Sequence, residues 1–95
     1  MALRRHNAKR DSNEGPIVEA FRAMGCLVQR MDQPVDLLIY VPMARAQRMH
    51  LVEVKVPGGK LNDNQRGFVA LGWPVHIIRS VDEALNLVKS LREAA

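Results

Sequence analysis

The stretch "HLVEVKVPGGK" at residues 50–60 constrains the fold more than any other part of the chain. Val52, Val54 and Val56 alternate with Glu53 and Lys55, which is the two-residue period of a β-strand, and "PGGK" then breaks the strand. Leu51, Glu53 and Lys55 therefore share one face, and the valines line the other. An acid and a base on one face of the most β-branched segment need a reason, because burying a charge is costly unless a partner or a metal compensates it. The plain alternatives are that this face is solvent-exposed, or that the two residues simply form a salt bridge.

The remaining elements follow from periodicity and punctuation. Asn13 is placed to cap a helix and Pro16 suits a first turn. Ile17, Val18, Ala20, Phe21 and Met24 then recur at helical spacing until Gly25. "CLVQRM" reads as a short strand, "DQP" as a turn, and "VDLLIYV" as a strand buried on both faces and bounded by Pro42. "PMARAQRM" connects it to the 50–56 strand. "NDNQRGFVALG" is a helix capped by Asn62 or Asp63 and stopped by Gly72, and "PVHIIRS" is a fourth strand. Ser80 and Glu83 spell a capping box for a last helix with an apolar stripe of Val81, Ala84, Leu85, Val88 and Leu91. The order is α, β, β, β, α, β, α. A length of 95 residues, 47% hydrophobic and 25% charged, suits one α/β domain over residues 13–95. "MALRRHNAKR" carries no acid, so residues 1–12 are expected to form a flexible basic arm.

Composition narrows the function classes. Cys26 stands alone, which excludes an internal disulfide or a cysteine zinc cluster and fits a reducing cytoplasm; Cys26 itself reads as core. The apolar runs are too short to cross a membrane, and no signal-peptide pattern follows the basic start, so a cytoplasmic protein with no membrane partner is expected. The formal net charge of +4 favours polyanions, although a solvated basic surface would account for it equally. Lys60 and Arg66 beside the "PGGK" turn, with Arg4, Arg5, Lys9 and Arg10 in the arm, are the candidate phosphate contacts. His6, His50 and His76 lack a common metal-ligand spacing and are not read as ligands.

Two further acids stand out. Asp36 opens the most apolar segment, where acids are depleted, although beside Pro34 it would also serve as a turn residue. If the two strands are neighbours, Asp36 and Glu53 can converge on one hard cation. On the first helix, about 100° per residue places Glu14 on the side of Ile17, Val18 and Phe21, and Glu19 on the polar side. Glu14 is expected to face inward and Glu19 to face solvent. The helix dipole would favour an acid in the first turn wherever it pointed.

Glu14, "VD" at 35–36, "EVK" at 53–55 and "NDNQ" ending at Gln65, in that order, resemble the PD-(D/E)XK nuclease superfamily, in particular its small VRR-NUC and Holliday-junction-resolvase-like members. The likeness runs from about Asp11 to Leu91. One departure is visible: the proline of the superfamily name is displaced by one, in Pro34, Val35, Asp36. The resemblance implies a restriction-endonuclease-like αβββαβα core with a mixed four-stranded sheet flanked by helices. It implies that Asp36, Glu53 and the Val54 backbone carbonyl hold Mg²⁺, with Mn²⁺ substituting, and that Glu14 completes the metal shell or holds a second ion. Lys55 would orient and help deprotonate the attacking water, and Gln65 would support the site. The implied activity is metal-dependent DNA endonuclease action on branched or distorted duplexes, and cutting both strands of a junction implies a homodimer. The alternative is a nucleic-acid-binding protein that keeps the nuclease fold without cutting. A small α/β domain with surface ion pairs and no nucleic-acid partner is a third reading.

Overall fold

A computed structural model of the chain describes residues 10–45 and 48–93. Its elements are α1 (Glu14–Ala23), β1 (Leu27–Arg30), β2 (Leu37–Tyr40), β3 (Met49–Val54), α2 (Asp63–Ala70), β4 (Val75–Ile78) and α3 (Val81–Glu93), the order read from the sequence. The strands form one mixed sheet in the order β1-β2-β3-β4. β1, β2 and β3 pair antiparallel, whereas β3 and β4 are parallel, with α2 in the crossover between them.

α1 and α3 cover one face of this sheet. Ile17, Val18 and Phe21 of α1 and Ala84 and Val88 of α3 form a single core with Leu37, Ile39, Val52, Val54 and Ile78. Cys26 is buried in the same core. α1 ends in a Schellman motif: Cys26 N–H donates to Phe21 O (3.1 Å) and Gly25 N–H to Arg22 O (2.9 Å). The φ of 86° that this requires at residue 25 explains the glycine there.

The second face is covered thinly, and two expectations change because of it. β2 is not buried on both sides: Leu37 and Ile39 are buried, whereas Leu38 and Tyr40 are half-buried. Among the described residues the helix on their side of the sheet is α2, and no residue of α2 is itself buried. On α3, Val81 and Leu85 are exposed at 37% and 36%. The stripe that meets the core is Ala84, Leu87, Val88 and Leu91, rotated from the one expected because α3 packs against α1 as well as the sheet.

The folded part also starts earlier than residue 13. Asp11 Oδ2 accepts from Val56 N–H at 2.8 Å and its carbonyl from Glu14 N–H at 3.0 Å, so residues 10–12 belong to the domain and not to an arm. Arg4, Arg5 and Lys9 lie outside the described residues. Among the described residues no helix is long and apolar enough to cross a membrane.

Candidate active site

β3 is an interior strand, and the extension of its register with β2 sets Asp36 opposite Glu53. The two acids share a reciprocal linkage. Asp36 N–H donates to Glu53 Oε1 (3.2 Å), while Asp36 Oδ2 accepts from Val54 N–H (2.8 Å). Asp36 thus continues the β2–β3 ladder with its side chain, which is why an acid is accommodated next to Leu37. The Val54 backbone group that meets the acids is its N–H, bonded to Asp36.

Glu53 is only 2% exposed. A solvent-exposed face is therefore overturned, whereas the salt-bridge alternative matches the ion pair between Glu53 and Lys55. Glu53 Oε2 lies 3.8 Å from Lys55 Nζ and accepts a hydrogen bond from Gln65 Nε2. Gln65 reaches it because of how α2 begins. Asn62 Oδ1 accepts from Gln65 N–H and Gln65 Oε1 accepts from Asn62 N–H, both at 2.9 Å, a full capping box. With its oxygen engaged at the cap, the amide nitrogen of Gln65 is aimed at Glu53. Gln65 is thus a capping residue whose second group faces the site, and Asn62, not Asp63, is the cap.

Burial, then the charge of Asp36, push the Glu53 carboxyl up to about 7, against the opposing pull of Lys55. Two cations stand beside the two carboxylates, Lys55 Nζ 3.8 Å from Glu53 and Arg10 Nη1 3.8 Å from Asp36. Hard oxygen donors of this kind fit a small divalent cation, which commonly takes one or two protein carboxylates and fills its shell with water and phosphate oxygens. Among the described residues, no group of three or more His, Cys, Asp or Glu side chains is disposed to hold a metal ion. The fit therefore rests on Asp36 and Glu53.

Glu14 faces inward as expected, and Glu19 is exposed and paired with Arg22 at 3.6 Å. The Glu14 carboxylate is held by arginines: Arg10 Nη1 donates to Oε1 at 3.0 Å and to Oε2 at 2.8 Å, and Arg30 Nε lies 3.3 Å from Oε2. Burial raises its pKa while Arg10 opposes that shift. The same guanidinium lies 3.8 Å from Asp36 Oδ1 and donates to the Met31 carbonyl at 2.8 Å. Arg10, expected to contact phosphate, instead bridges Glu14 and Asp36. Composition could not show this, because it counts a cation without its partners.

The other basic candidates divide. Lys60 is exposed beside the turn. Arg66 is also exposed, but its guanidinium is bonded to Leu61 O and Asp63 at the start of its own helix. Two features escaped the sequence reading. Asn13 occupies the N-cap position of α1 without a side-chain cap bond. Its Nδ2 instead donates to Lys55 O (3.1 Å) and Arg79 O (3.0 Å), joining the ends of β3 and β4. His50 and His76, 26 residues apart, come within 3.3 Å, Nδ1 to Nε2, because β3 and β4 are parallel neighbours.

Comparisons of the chain with protein-family models, with curated proteins and with solved structures found no match.

Proposed function

We propose that this protein is a divalent-metal-dependent DNA endonuclease with a restriction-endonuclease-like core, selective for branched or distorted duplexes and acting as a homodimer in the cytoplasm. The observation that carries this reading is the Asp36–Glu53 pair with Lys55 on its flank: a half-buried and a buried carboxylate, adjoining, beside an ammonium. A phosphodiester is anionic and resists attack by hydroxide, so its hydrolysis calls for a cation at the phosphoryl oxygens and an oriented water.

Asp36, Glu53 and the Val54 carbonyl would hold Mg²⁺, or Mn²⁺ in its place. The ion supplies Lewis-acid activation of the phosphoryl group and of the attacking water. Lys55 would orient that water and steady the negative charge that develops on the phosphoryl and leaving oxygens as the water oxygen bonds to phosphorus and the P–O bond to the leaving oxygen breaks. Gln65 fixes the rotamer of Glu53, and Lys60 meets the phosphate backbone. Glu14 acts through Arg10, which sets the charge at Asp36.

Arg10 also favours a second reading, a DNA-binding protein that does not cut, because a guanidinium already neutralises part of the acid cluster. One assay separates the two. The protein is incubated with four-way-junction, flap, nicked and linear DNA in Mg²⁺ or Mn²⁺, then with chelator. Cleavage of junction or flap, abolished by chelator and by Glu53→Ala, supports the endonuclease. Salt-sensitive binding without cleavage in either metal supports the second reading, and neither binding nor cleavage rejects both.

A further inference from the structure

Away from the acid pair, the start of β3 and the start of β4 bring two imidazoles together. His50 Nδ1 and His76 Nε2 are 3.3 Å apart, with the rings inclined at 56° and their centroids 5.3 Å apart. They border an open pocket of about 490 Å³ whose rim includes Arg48, Met49, Trp73 and Pro74. The separation is long for a direct hydrogen bond, for which about 2.7–3.2 Å is usual. It matches another requirement: two nitrogens each about 2.0–2.1 Å from a tetrahedral ion lie about 3.3–3.4 Å apart.

We propose that His50 and His76 form a two-imidazole site for a borderline first-row divalent ion in tetrahedral coordination, with Zn²⁺ the best match, separate from the carboxylate pair. Imidazole nitrogens suit such ions, whereas Mg²⁺ and Mn²⁺ prefer oxygen, so donor chemistry distinguishes the two places. The adjoining pocket leaves room for the water or other ligands that fill the remaining positions. Burial lowers the pKa of both rings, and for His50 the neighbouring charges of His76 and Arg48 lower it further. Both are thus kept in the neutral form that binds metal. The parallel register, which pairs Val52 with His76, fixes the spacing through the backbone. Trp73 stacks its ring on Phe68 and remains 52% exposed.

The test is titration of the full chain with Zn²⁺ and Ni²⁺ by calorimetry, with the imidazole nitrogens followed by ¹⁵N NMR. The expected result is an ion whose binding shifts His50 Nδ1 and His76 Nε2 and weakens about tenfold or more in His50→Gln and in His76→Gln, any further ion at the carboxylates leaving both imidazoles unshifted. The NMR readout uses the unaltered protein and does not depend on the variants folding. Binding that leaves both imidazoles unshifted, binding lost in Glu53→Gln but kept in the histidine variants, or no binding would overturn the proposal. Each of these results is independent of whether the protein cuts DNA.

Discussion

Asp36 and Glu53 are joined through backbone and side chain at once: the amide of Asp36 bonds Glu53, and the carboxylate of Asp36 bonds the amide of the residue after Glu53. Neither acid can move away without breaking a sheet contact, so their mutual repulsion is fixed in the fold. Burial first, and this repulsion second, raise the Glu53 pKa.

That shift makes stability depend on pH. Glu53 in the unfolded chain titrates near 4.5, and in the folded protein at about 7. The folded state therefore binds more protons between these values, and stability falls as pH rises from about 4.5 to 7. The loss attributable to Glu53 is on the order of 3 kcal/mol. Urea denaturation at pH 5, 6, 7 and 8 should show the decline, and Glu53→Gln should flatten it. A variant with the same slope as the parent would show that another group carries the effect.

Gln65→Ala removes both the capping-box acceptor and the donor to Glu53. Loss of the reciprocal half of the capping box, with the Asn62 cap bond retained, should destabilise α2 by less than about 1 kcal/mol, seen as faster amide exchange within α2. Cleavage should fall at the same time, because Glu53 loses the group that fixes it. Gln65→Glu retains the cap oxygen but sets a carboxylate against Glu53, and should be less active than Gln65→Ala. Full activity in either variant would confine Gln65 to the cap.

Arg10→Ala should lower stability by about 2–3 kcal/mol, since it leaves the buried Glu14 with Arg30 alone. The same change should tighten Mn²⁺ binding, on the order of tenfold, by removing a positive charge 3.8 Å from Asp36. Unchanged or weaker Mn²⁺ affinity in a folded Arg10→Ala protein would mean that the guanidinium does not compete with the ion.

Asn13→Asp tests a less obvious contact. Aspartate caps helices as well as asparagine does, so capping alone forecasts no change. Asn13 instead donates to two carbonyls, and aspartate would present oxygens to both. The substitution should lower the melting temperature, and by more than Asn13→Ala does. Equal stability of Asn13→Asp and the parent would count against the donor role.

Several of these relationships were legible in the sequence. The inward Glu14 followed from 100° per residue, and the common face of Glu53 and Lys55 from strand alternation. Both depend on geometry within one element. What the sequence hid depends on how elements meet. Leu85 and Leu87 are both apolar, and only the packing of α3 against α1 selects Leu87. The meeting of His50 and His76 depends on a parallel register that spacing does not encode. Arg10 looked like any cation in a basic segment until Glu14 and Asp36 were placed around it.

Mn²⁺ binding followed by electron paramagnetic resonance tests the central claim most directly. The protein should bind Mn²⁺, lose that binding in Asp36→Asn and in Glu53→Gln, and retain it in Lys55→Ala, which should bind the ion yet fail to cleave junction DNA. Binding that survives both carboxylate substitutions in folded protein, or no binding at all, would contradict it.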